Sequence, residues 1–175
     1  MERRNLNINS VVIRNGVLQY EFGGGQEFGD VSFPLKWDNV PEAKSYALYM
    51  IDYDATHVCG FPFIHWVVAN IRTNELCYDA THNLAKIITQ GQNSTSTVTY
   101  RNLHGKKPTP SELLKAAKYV APTPPDGKHV YTIVLFALDV EKLDLKDGFF
   151  LDQMLAKLHS HILVYDWYNF KYPSD

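Results

Sequence analysis

Two short apolar runs, residues 46–51 and 67–71, constrain this chain more than any other feature of its sequence. Both are rich in β-branched and aromatic side chains and nearly empty of polar ones. Runs of that length and make-up read as strands buried on both faces rather than as a helix. Between them lies a short polar segment carrying Asp52, Asp54 and His65, with Trp66 directly behind. Acidic and imidazole groups at the ends of buried strands are what a preformed polar pocket on a rigid scaffold needs.

The rest of the chain supplies the sheet around that pair. Residues 129–138 form the longest apolar run and read as a central strand. Residues 11–13 and 17–20 flank Arg14-Asn15-Gly16, and an Asn-Gly pair that tolerates positive φ predicts a hairpin there. Gly23-Gly24-Gly25 reads as a flexible turn; no Lys-Ser/Thr and no helical pattern follow, so it does not fit a phosphate loop. Residues 31–37 predict a strand that Pro34 confines to an edge or bend. Residues 86–90 predict a short strand and 164–172 a closing aromatic one. Residues 73–83 are polar and turn-rich.

Two helices are expected. One covers residues 111–118, with Thr109 or Ser111 as N-cap. The other follows from Leu151, Met154, Leu155, Leu158 and Ile162, whose three- and four-residue steps predict three to four turns. Residues 91–110 form a long loop of the kind that covers a site or moves. Its Gly105-Lys106-Lys107 is not a Walker loop, because Tyr100 stands where the upstream glycine is required. Many strands and few helices in 175 residues predict one mainly β domain over residues 1–175. The expected architecture is an antiparallel Greek-key-type β-sandwich with a few peripheral helices.

Charge and composition exclude several classes. A net charge of −2 offers no electrostatic footprint for nucleic acid. The polar opening residues lack a signal core, and no run is long enough to span a bilayer, so a cytoplasmic location is expected. In that compartment Cys59 and Cys77 are expected as free thiols. His57, Cys59, His65, Cys77 and His82 match no zinc spacing, and neither metal nor cofactor is expected. No activated nucleophile is visible and no catalytic residue is assigned, although an Asp–His pair used as a general base keeps a hydrolase open as an alternative.

Three features at strand ends could converge. Asp52 with Asp54, and His129 with Tyr131, are each two residues apart, so in extended chain each pair shares a face. A histidine held by an aspartate has a fixed tautomer and offers its other nitrogen outward. With His65, two imidazoles and a tyrosine hydroxyl would give donors for an anion such as a phosphate, in binding that strengthens on mild acidification. Pro122-Thr123-Pro124-Pro125 would form a stiff wall. The same residues admit a plainer reading, with Asp52 and Asp54 capping a turn and the histidines satisfied in the core.

These residues also carry a resemblance. Asp52-Tyr53-Asp54-Ala55, the strand from Ile64 through His65-Trp66, and the segment holding Pro124-Pro125, Gly127, His129 and Tyr131 resemble, in order, signature segments of the phosphatidylethanolamine-binding protein family. Leu35-Lys36-Trp37, Gly91-Gln92-Asn93-Ser94 and His161-Ile162-Leu163 add to the likeness, which is nearest to the bacterial branch called Raf kinase inhibitor-like. The resemblance implies a β-sandwich and a ligand pocket of Asp52, Asp54, His65, Pro124, Pro125, His129 and Tyr131. It implies a small anionic ligand, phosphate or a phosphorylated head group, or alternatively regulation by kinase-inhibitor-like protein contact. For the latter, residues 91–118 with Lys106, Lys107, Lys115 and Lys118 are the candidate surface. Tyr53, Thr56 and Ala121 depart from the family pattern, and Tyr53 is placed to narrow the pocket mouth.

Overall fold

The computed structural model describes residues 2–29, 31–97, 105, 109, 111 and 115–173. Within them the chain is mainly β. The strands are β1 (Glu2–Arg3), β2 (Ile13–Arg14), β3 (Val17–Leu18), β4 (Leu35–Lys36), β5 (Ser45–Asp52), β6 (Phe63–Ile71), β7 (Glu75–Leu76), β8 (Thr89–Gln90), β9 (His129–Leu138) and β10 (Ile162–Tyr172). Among the described residues, short α-helices accompany them: α1 (Thr56–Cys59), α2 (Ala80–Asn83) and α3 (Leu151–Leu158).

The long strands make one sheet in the order β2-β3-β10-β9-β5-β6-β8, antiparallel from β10 to β8. Two-residue edges depart from the antiparallel expectation: β1 and β3 pair with β10 in parallel. The runs in β5, β6 and β9 are nearly unbroken because both faces of the sheet are covered. Leu48, Met50, Trp66, Val68, Ile133 and Leu135 pack on one side against Leu6, Phe33, Trp37 and Leu76. That second layer is mostly irregular, and β4 and β7 form its only paired strands among the described residues. On the other side Ala47, Val67, Phe136 and Leu138 meet Met154 and Leu158 of α3 and Phe149 before it.

The Asn15-Gly16 hairpin is present, with φ of 51° and 73° at its two loop residues between β2 and β3. Elsewhere local pattern misled. The helix ends at Leu158, two turns long, and Ile162 instead opens β10, so its place in the 3.6-residue pattern is coincidental. Of residues 86–90 only Thr89–Gln90 pair, because Ile88 N–H donates back to the Leu84 carbonyl and holds the preceding residues in a turn. Of residues 31–37 only Leu35–Lys36 pair. The glycine triplet does turn, with φ of 79° and open space at Gly25, but its first two residues are closely packed. A Cβ on Gly23 would overlap the Tyr172 hydroxyl, and one on Gly24 would strike Thr123. Gly24 N–H donates to the Pro122 carbonyl at 2.8 Å and so anchors the proline segment. Residues 112–114 of the expected 111–118 helix, and Lys106 and Lys107, lie outside the described residues.

Candidate functional site

The central strands β5, β6 and β9 end together, and their ends form the floor of a pocket of about 390 Å³. Asp52, the last residue of β5, pairs in register with Tyr131 of β9 and with Phe63 of β6. The chain then turns sharply into α1, with Thr56 N–H donating to the Tyr53 carbonyl and His57 N–H to that of Asp54. The two aspartates therefore do not lie on one extended face. Asp52 points into the pocket; its Oδ1 accepts from Ala55 N–H at 3.1 Å and its Oδ2 meets His129 Nδ1 at 2.7 Å. Asp54 is outside the pocket wall and accepts from the Val130 backbone N–H at 2.8 Å, stitching the turn to the start of β9. For Asp54 the structure shows the backbone-capping role.

Five of the other expected residues, His65, Pro124, Pro125, His129 and Tyr131, line the pocket with Asp52. Ala55, Val58, Cys59, Phe63, Thr95, Val120, Ala121 and Thr123 complete it, so its walls are largely apolar and its floor polar. Residues 119–121 lie beside β6 because His65 and Val120 are joined twice: Val120 N–H donates to the His65 carbonyl at 2.9 Å, and His65 Nδ1 reaches the Val120 carbonyl at 2.8 Å. A buried network of Thr81, Gln90 and the Trp66 indole, with Thr81 Oγ1 accepting from Tyr119 N–H, holds that segment from behind.

The two histidines differ in charge. His65 is 4% exposed and stands edge-on to Tyr131 at 5.2 Å. Burial drives its pKa down to about 4, opposed only in part by the Val120 hydrogen bond and the Asp52 carboxylate, while His129 pushes the same way as burial. Near neutral pH the ring is uncharged, with its proton on Nδ1 toward Val120 and a lone pair on Nε2. It is an acceptor rather than the second cationic donor expected from the sequence.

For His129 burial also opposes charge, but hydrogen bonds to Asp52 and Asp126, together with their charges, outweigh it and raise the pKa. His129 Nδ1 meets Asp52 and Nε2 meets Asp126 Oδ1 at 2.8 Å, so both ring nitrogens hold carboxylates. The carboxylates differ in setting, the Asp52 side chain being 4% exposed and that of Asp126 55%. The Tyr131 hydroxyl is buried and meets no hydrogen-bond partner among the described residues. Burial, reinforced by the Asp52 charge, raises its pKa, so it stays a protonated donor.

Asp126 is the participant that the sequence reading missed. Its signal lay in the Asp126-Gly127 step, a tight-turn pair placed three residues before His129. Tyr53, by contrast, is half exposed and absent from the pocket wall. It does not narrow the mouth. Cys59 and Cys77 are unpaired with each other, and Cys59 Sγ contacts the Ala55 and Phe61 carbonyls. Among the described residues no three His, Cys, Asp or Glu side chains are grouped to hold a metal, and no helix is long and apolar enough to cross a membrane.

Comparison with known proteins gives concordant matches. The family profile described as "Phosphatidylethanolamine-binding protein" matches residues 8–172. The uncharacterized protein YxkA of Bacillus subtilis is 41% identical over 137 residues, covering 77% of this chain and 76% of its own. A UPF0098 protein of Methanothermobacter thermautotrophicus is 32% identical over 139 residues, covering 77% of each. Among solved structures, Escherichia coli YbcL, described as a new member of the mammalian family, superposes with a TM-score of 0.74 at 23% identity, over 98% of this chain and 100% of that one. That last likeness concerns the fold alone.

Proposed function

The chain belongs to the phosphatidylethanolamine-binding protein family, and from that premise we propose that it binds a small ligand with an anionic, phosphate-bearing end. The observation that carries this reading is His129, an imidazole on the polar floor of a largely apolar-walled pocket, hydrogen-bonded to Asp52 at 2.7 Å and Asp126 at 2.8 Å, contacts that raise its pKa. A buried cation in apolar surroundings offers an anion a contact little weakened by water. Asp52 fixes the ring through Nδ1, so Nε2–H, which Asp126 holds in this structure, is the donor that a ligand would take. The Tyr131 hydroxyl is a second donor, and the His65 lone pair suits an acidic P–OH. The apolar walls accommodate an uncharged remainder.

Titration calorimetry with dimethyl phosphate, whose single charge is constant across the range, tests this directly. Binding is expected at pH 6, at least about tenfold weaker in His129→Gln, as expected for loss of a charged hydrogen-bond donor. Because the His129 pKa is raised and His65 is neutral, affinity should hold between pH 5.5 and 6.5 and fall as the pH climbs past the ordinary imidazole range. No heat with wild-type protein anywhere between pH 5.5 and 7.5 would refute the proposal.

A further inference from the structure

The nitrogen that an anion needs is already taken. His129 Nε2 meets Asp126 Oδ1 at 2.8 Å, at the distance and with the charge of a bound anion. We propose that Asp126, itself absent from the pocket wall, is a built-in occupant of His129 Nε2, a tethered carboxylate that an incoming anion must displace before it can bond that nitrogen. This rests on the anion-binding reading above and adds to it a contact that holds the resting site closed.

Three observations separate Asp126 from a structural partner such as Asp52. First, its carboxylate makes no hydrogen bond other than that to His129 among those found in the described residues, whereas Asp52 also accepts from the Ala55 backbone. Second, its side chain is 55% exposed against 4% for Asp52, so on release it returns to water at little cost. Third, it sits at a junction between stiff and permissive backbone. Pro124-Pro125 precede it, and Gly127 follows with φ of 146° and open space where a Cβ would lie. Asp126 can therefore swing out while the proline wall, anchored to Gly24 through Pro122, stays in place.

The energetic consequence is a uniform cost. If the carboxylate holds Nε2 most of the time, only the remaining fraction of molecules is competent, and the apparent affinity of every anion falls by that fraction. A side chain tethered three residues away acts at an effective concentration in the millimolar range or above, so dilute anions compete poorly.

The test compares inorganic phosphate binding by calorimetry at pH 6 in wild type, Asp126→Ala and Asp126→Asn. Alongside it, the Asp126 carboxyl 13C signal of the wild type is followed during phosphate titration. Asp126→Ala, which removes the occupant, should bind about fivefold tighter or better, Asp126→Asn, which keeps an uncharged acceptor oxygen, should fall between it and wild type, and the 13C signal should move toward that of a solvated carboxylate as phosphate saturates. Equal or weaker binding by the variants overturns the occupant while leaving the anion site intact. Tighter binding with an unmoved 13C signal also overturns it, leaving only general charge repulsion. Absence of phosphate binding in all three proteins removes the anion reading and the occupant together.

Discussion

His65 and His129 line one pocket and their pKa values are driven in opposite directions, which makes the pocket pH-sensitive in two directions. The folded pKa of His65 is about 4, below the 6.5 of an unperturbed imidazole. Its contribution to stability is therefore present above the unfolded value and is lost as the pH falls from there toward 4. The full shift amounts to something on the order of 3 kcal/mol. The raised pKa of His129 works the other way: its contribution is complete below 6.5 and is lost as the pH rises through the folded value. Urea unfolding of His65→Gln should accordingly give a stability that declines less between pH 6.5 and 4.5 than that of wild type, and parallel declines would show the burial argument to be wrong. Residue types and spacing had pointed to both histidines, and both line the pocket. What they could not carry was the partner of each nitrogen. The Val120 carbonyl that takes the His65 Nδ1–H and the Asp126 carboxylate that holds His129 are set by two loop conformations, and no periodicity encodes those.

At the scale of elements, the pocket depends on how the end of β5 is tied to the start of β9. Asp54 makes that tie through the Val130 N–H, beyond the last in-register pair at Asp52 and Tyr131. Removing the acceptor in Asp54→Ala leaves a partly buried backbone donor unsatisfied and should cost about 1–2 kcal/mol in chemical denaturation. Asp54→Asn keeps an acceptor oxygen and should recover much of that loss; no difference between wild type and Asp54→Ala would remove the stitch from the argument. The three strands that build the floor were legible because burial on both faces makes their apolar runs nearly continuous. The short elements were not. A two-residue strand such as Leu35–Lys36 has no period to detect, and Ile162 satisfies a helical step although it belongs to β10. The glycine triplet shows the same limit: composition pointed to a flexible turn, whereas Gly23 and Gly24 face the close approach of Tyr172 and Thr123 and only Gly25 has the positive φ of a turn.

Across the whole molecule, the β-rich, helix-poor architecture followed from strand count, but the layer opposite α3 is held by contacts far apart in sequence. Its N-terminal part is fastened by backbone hydrogen bonds, among them Arg4 N–H to the Tyr165 carbonyl and Asp38 N–H to the Leu6 carbonyl, and by one buried carboxylate. Asp166, on β10 and 3% exposed, accepts from Leu6 N–H at 2.9 Å and from Arg3 Nε at 3.2 Å, while the Arg3 guanidinium lies 3.4 Å over the Trp167 ring. Leu6, brought in by that bond, is almost fully buried in the core. In Asp166→Ala the Leu6 N–H loses its acceptor inside the protein, at a cost of about 1–3 kcal/mol. Because β1 holds β10 by only two residue pairs, the loss should appear first as local opening of residues 2–8 in hydrogen exchange. The pocket should not feel it. Asp166 lies six residues along β10 from Tyr172, the partner of His129, which is roughly 20 Å at the rise of an extended strand. Dimethyl phosphate affinity should then stay within about twofold of wild type, as expected for well-separated sites. A large affinity change in a variant whose β5, β6 and β9 amides remain protected would mean that the N-terminal segment and the pocket are coupled through β10.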